Sequence, residues 1–182
     1  MTVDLSKYDN SAYEPGPALK RALWYVVSLV IFRTQLFPFS GLKRTLLKWF
    51  GARVGHNVII KPGVIIKYPW FLQIGDNTWI GEKCWIDNLA NVAIGNNACL
   101  SQGSMLLTGN HDYTNHAFNL IVHDIILADG VWIGAKATVC PGVICGMEAV
   151  LTAGSVATGP MEAQGIYQGN PAKWVKQRVI TT

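Results

Sequence analysis

Paired cysteines, clustered basic residues and a membrane-length apolar run are all missing from this sequence, and each absence removes a class of function. Cys84, Cys99, Cys140 and Cys145 have no CxxC spacing, which argues against a zinc ribbon or a disulfide framework and for a reducing cytoplasm. The Lys and Arg residues behind the net charge of +4 are spread out and mostly terminal, without the interleaved aromatics of a nucleic-acid binder. A small anionic ligand or a membrane surface suits such a chain better. Ala22 to Phe32, ALWYVVSLVIF, is about half the roughly 20 residues needed to cross a bilayer. It follows a polar start with Asp4, Asp9 and Glu14 and lacks a small-residue cleavage site, so it does not read as a signal peptide. The expectation is one cytoplasmic domain with one core, 182 residues long.

What the sequence does have is a beat of six. Aliphatic residues recur at Val54, Ile60, Ile66 and Leu72, then after a two-residue slip at Ile74, Ile80, Ile86 and Val92, and after a second slip at Ile94, Leu100 and Leu106. The beat returns at Ile133, Val139, Cys145, Leu151 and Ala157, with small residues such as Ala98, Ser104, Ala137, Ala149 and Ser155 four positions after an aliphatic one. Neither an amphipathic helix nor an alternating strand has this period. It is the signature of a hexapeptide-repeat parallel β-helix, three rungs to each turn of a triangular prism, with the aliphatic residue pointing inward. The two-residue slips read as bulged corners. The chain divides into an arm and helices over 1–51, the repeat over 52–157 with an insertion at 109–124, and a tail over 158–182. Helices are predicted from Leu19 to Gln35 and from Leu42 to Phe50, as a cap on the stack.

The insertion, GNHDYTNHAFN, leaves the regular stack, and loops on rigid scaffolds are where catalytic residues concentrate. With the repeat, the loop TGNHDY and the ending VWIGAKATVCPGVI, LTAGSVAT and GNPAKWV in view, residues 52–178 resemble the hexapeptide-repeat O-acetyltransferases of the maltose, galactoside and nodulation group. The N-terminal region and the segment Tyr68, Pro69, Trp70 are most similar to the acetyltransferases of colanic-acid-type exopolysaccharide synthesis. The resemblance implies a left-handed coil, a homotrimer with three clefts between prisms, and transfer of acetyl from acetyl-CoA to a sugar hydroxyl, free or lipid-linked. It also implies His111 as catalytic base, Trp132, Ala135 and Ala153 along the CoA cleft, and Lys173 and Lys176 near the adenosine phosphate. The family's acceptor-binding asparagine falls on Gly81, and Asp87 and Asn88 are the candidates to replace it.

Imidazole titrates at about 6.5 and so suits removal of a hydroxyl proton at neutral pH. The same ring can return that proton to the departing sulfur, so no seryl or cysteinyl intermediate is needed. A backbone amide at a corner, such as that of Ala135, would hold the developing oxyanion. Two rival readings stand beside this one. His111 and His116, with His123 nearby, have spacing found in zinc enzymes of the γ-carbonic-anhydrase kind, but no histidine lies between His56 and His111 to complete a ligand set. A non-catalytic polysaccharide-binding stack is the other. No metal is expected. For the Leu19–Phe39 segment, contact with the membrane surface competes with burial in a trimer.

Overall fold

The computed structural model describes residues 2–181. Helix α1 (Ala18–Val27) runs into a five-residue π-helical turn, Ser28–Phe32, and α2 (Ser40–Trp49) follows. Two- and three-residue strands then coil into a prism with three parallel faces. On the first face Val54, Ile74, Ile94, Leu127 and Cys145 stack in register. The second stacks Ile60, Ile80, Leu100, Ile133, Leu151 and Tyr167. The third stacks Ile66, Ile86, Leu106, Val139 and Ala157. Every one of these side chains is buried. Full burial of one such aliphatic residue is worth about 1.5–3 kcal/mol, so the six-residue beat is also the axis of the core.

The slips are not bulged corners. In the strands Leu72–Ile74 and Val92–Ile94 both terminal residues are buried and the middle one is not. Residues two apart on a strand share a face, so each slip is a rung lengthened by one alternation, and it gives turns of 20 residues. The beat also resumes earlier than the sequence suggests, in a third such strand, Ile125–Leu127. At the far end it continues past Ala157: Met161 and Tyr167 face inward, and the hairpin Gly165–Gly169 with Ala172–Gln177 closes the second face.

The predicted helices form, the first ending at Phe32 instead of Gln35 and the second starting two residues earlier, and they cap the stack. The first turn of a coil has an edge of backbone groups with no strand beneath them. Lys43 Nζ donates to the carbonyls of Ile60 (3.3 Å) and Lys61 (3.0 Å), Arg44 donates to that of Val58, and Ser40 Oγ accepts from the N–H of Ile60. Trp24 and Phe32 pack edge to face in the core, and Trp24 Nε1 donates to the Ile66 carbonyl at 2.9 Å. The outward side of α1 and the π turn shows Leu19, Leu23, Val26, Leu29 and Val30.

Candidate active site

The insertion is a two-stranded antiparallel hairpin, Gly109–His111 against Leu120–Val122, standing off the end of the third face. Its tip is shaped by local side-chain bonds. Asp112 Oδ1 accepts from the N–H and hydroxyl of Thr114, which hold its carboxyl below the usual carboxylate range, and Asn115 Oδ1 accepts from Ala117. Phe118 then turns back with φ of 52°, and this conformation presents its carbonyl to His111.

His111 Nδ1 lies 2.9 Å from the Phe118 carbonyl oxygen, and the two rings stack 4.5 Å apart with 7° between their planes. A carbonyl can only accept, so Nδ1 carries the proton of this bond, and in the neutral ring the lone pair is on Nε2. Tyr8, from the N-terminal arm, covers another side of the imidazole at 5.7 Å. Neither contact is legible in the sequence: the orienting carbonyl depends on the loop turn, and the polar arm carries no pattern that ties it to the loop. In the structure the arm is tied to the loop by Asp4 N–H to the His116 carbonyl (2.8 Å), and Tyr13 Oη donates to the Leu89 carbonyl (2.7 Å).

Trp132, Ala135, Ala153 and Lys176 come together on the second face and its following corner. Trp132 is 47% exposed and donates through Nε1 to Ser101 Oγ. In the register of that face, Trp132, Val150, Ile166 and Lys176 form one transverse row, roughly 14 Å long at the usual strand spacing. Lys173 lies on the same outer strand, opposite Gln168. The corner amides differ from those of the first face. There, His56, Asp76 and Asn96 donate their N–H groups to the side chains of Asp76, Asn96 and Asp129 one turn on. Ala135 and Ala153 have no such acceptor stacked on them, and their N–H groups donate to no other described residue. Those amides are free for a ligand oxygen.

Asp87 and Asn88 separate. Asp87 is an outward residue of the third face, paired with Lys67 at 3.4 Å and 19% exposed. Asn88 is fully buried: its Oδ1 accepts from the N–H groups of Lys67 and Tyr68, and its Nδ2 donates to the Tyr68 carbonyl. It holds the turn at Tyr68 and shows no polar atom to an acceptor. Among the described residues no three His, Cys, Asp or Glu side chains converge to hold a metal ion, so the zinc reading has no ligand set to rest on.

No protein-family model matches the chain. A relative from Escherichia coli K12, named as the colanic acid biosynthesis acetyltransferase WcaF, is 34% identical over 179 residues, 98% of each chain. The chain belongs to the hexapeptide-repeat acetyltransferases. The galactoside O-acetyltransferase of the same bacterium is 27% identical over 138 residues, 74% of this chain and 68% of the relative. Among solved structures, a hexapeptide-repeat acetyltransferase from Vibrio cholerae in complex with acetyl-CoA superposes with a TM-score of 0.81 at 22% identity, over 92% of this chain and 93% of that one. The shared fold is the left-handed parallel β-helix of these acetyltransferases. In this acetyltransferase the loop histidine follows the third face and the open corner amides precede it, so the two belong to opposite edges of that face.

Proposed function

We propose that this acetyltransferase moves an acetyl group from acetyl-CoA to a sugar hydroxyl in exopolysaccharide synthesis, with His111 as general base. The observation that supports this reading is the His111–Phe118 hydrogen bond, which occupies Nδ1 and leaves Nε2 to face a substrate. Nε2 takes the proton of the sugar hydroxyl while the hydroxyl oxygen attacks the thioester carbonyl carbon. The carbonyl oxygen, now negative, is met by the N–H of Ala135, a contribution typically worth a few kcal/mol. The C–S bond then breaks, and Nε2–H returns the proton to the departing sulfur. Trp132, Ala153 and the row ending at Lys176 support the donor, with Lys173 and Lys176 toward its phosphates, and Asp87 is the carboxylate available to the sugar.

Because base and donor residues lie at opposite edges of one face, the working site needs a second copy of the chain, whose far edge closes the cleft. A homotrimer with three equivalent clefts satisfies this through heterologous contacts that close into a ring. The test of the reaction is acetyl-CoA consumption by the intact protein against a panel of free, nucleotide-linked and lipid-linked sugars. Acetyl-sugar formation with at least one of them is expected. Steady thioester loss that no sugar accelerates would overturn the assignment.

The cytoplasmic face of the membrane is the proposed place of work. No described helix is long and apolar enough to cross a bilayer. Of the residues available for headgroup contact, Trp24 and Phe32 are in the core and Lys43 and Arg44 are bonded to carbonyls of the first turn. The outward stripe Leu19, Leu23, Val26 and Val30, with the exposed Arg33 beyond it, is the surface left for the task. Flotation with anionic vesicles at low salt should carry the protein upward, and high salt should release it. A protein that stays in solution while Leu23→Glu breaks the oligomer would assign the stripe to subunit contact instead.

A further inference from the structure

Between α1 and the outer side of the third face lies a cavity of about 480 Å³ whose lining is unlike the rest of the surface. Arg21, Arg33 and Lys67 line it, with Asp87 as its one carboxylate, so three positive charges face one negative. Two buried side-chain polar atoms of this cavity, Arg21 Nε and Ser28 Oγ, have no hydrogen-bond partner, and Asp87 Oδ1 meets only Lys67 Nζ, at 3.4 Å. Buried polar atoms are ordinarily paired, and Ser28 is 1% exposed. Ser28 also opens the π-helical turn Ser28–Phe32, and such local widening of a helix is frequent at functional sites. Arg33, just beyond that turn, lies over the ring of Tyr25 at 5.9 Å. The indole of Trp85 forms part of the wall and is 39% exposed, a flat apolar surface of the kind that stacks on a sugar ring.

The cavity is joined to the catalytic hairpin. The Asp87 carbonyl accepts from Thr108 Oγ1 at 2.9 Å, and three extended residues, roughly 10 Å, lead from Thr108 to His111. A ligand anchored among the arginines could therefore extend past Asp87 toward the base.

The geometry points to this cavity as the seat of the phosphate end of the acceptor, which makes the substrate a glycosyl phosphate or diphosphate and not a free sugar. Arg21, Arg33 and Lys67 take the phosphate oxygens through charge-assisted bonds, Ser28 Oγ donates to the same group, and Asp87 accepts from a sugar hydroxyl. The link to His111 rests on the acetyl-transfer reading, whereas phosphate binding does not. The test is calorimetric titration of the intact protein saturated with CoA, so that the donor's own phosphate contacts are already filled. The probes are inorganic pyrophosphate, methyl glucoside, UDP-glucose and a farnesyl-diphosphate-linked glucose. The diphosphates should bind at least about tenfold more tightly than methyl glucoside. Arg33→Gln and Lys67→Gln should each weaken them by about tenfold, and Lys48→Gln, exposed on α2 and outside the cavity lining, should leave them unchanged. Tighter binding of the UDP or the farnesyl compound tells a nucleotide-linked from a lipid-linked source. Diphosphate affinity equal to that of methyl glucoside, or indifferent to Arg33 and Lys67, would overturn the proposal. Acetyl transfer to an uncharged sugar at full rate would do so while leaving the general-base reading intact.

Discussion

The imidazole of His111 can be removed without opening the core, because it stands on a hairpin outside the stack. His111→Ala should therefore melt like the parent and lose about 10²-fold or more in single-turnover acetyl transfer, while His116→Ala, at the loop tip, stays much nearer normal. Turnover within a few-fold of the parent would reject His111 as base. Asn88 is the opposite case. Asn88→Ala strands the Tyr68 N–H and carbonyl inside the protein, at a cost of about 1–3 kcal/mol. A lower melting temperature with donor affinity unchanged is the expected result, and a specific rise in acceptor KM at unchanged stability would return Asn88 to the substrate. The resemblance offered Asp87 and Asn88 together, and sequence alone could not tell them apart, because neighbouring residues of the coil face opposite ways. The partner of His111 Nδ1 was likewise illegible: it is a backbone carbonyl, present at every residue, selected only by the left-handed turn at Phe118.

At the scale of the rung, the corner after Ile133 sets how closely successive turns approach. A Cβ on Gly134 would fall 2.5 Å from the Ala153 nitrogen and 2.8 Å from the Leu151 oxygen, all of it backbone, and the Gly134 N–H is bonded to that oxygen. Gly134→Ala must push two turns apart, and overpacking of this kind costs about 1–3 kcal/mol. Gly41→Ala, with nothing within 4 Å of the new methyl, sits in α2 and should gain about 0.5–1 kcal/mol. Equal thermal melts for the two variants would contradict this account of the corner. The rungs themselves were legible because burial every sixth residue is a one-dimensional pattern. What the pattern concealed was the length of the turn: Leu72 with Ile74 and Val92 with Ile94 look like errors of phase when counted in sixes, and are ordinary strand alternation when paired across the coil. The closing rung was missed for a related reason, since Tyr167 occupies an aliphatic position.

For the whole molecule, the placement of the hairpin and the second-face corner at opposite edges has a direct consequence under the proposed reading. Two inactive variants, His111→Ala and Trp132→Ala with Lys176→Glu, should complement when unfolded together and refolded as a mixture. If each cleft joins one copy's hairpin to its neighbour's second face, about a quarter of the clefts in an equal mixture combine two intact halves. Recovery of that fraction of activity is the expected outcome, and none would mean that a single chain supplies both halves. The coil treats its insertion almost as a blister. Val92–Ile94 bonds directly to Ile125–Leu127, so the stack closes beneath the hairpin and keeps its phase across the 33 positions from Ile94 to Leu127. Lengthening such a loop even twofold adds only about 0.6 kcal/mol of closure entropy. The prism can thus carry a longer or shorter hairpin with little change to its own folding.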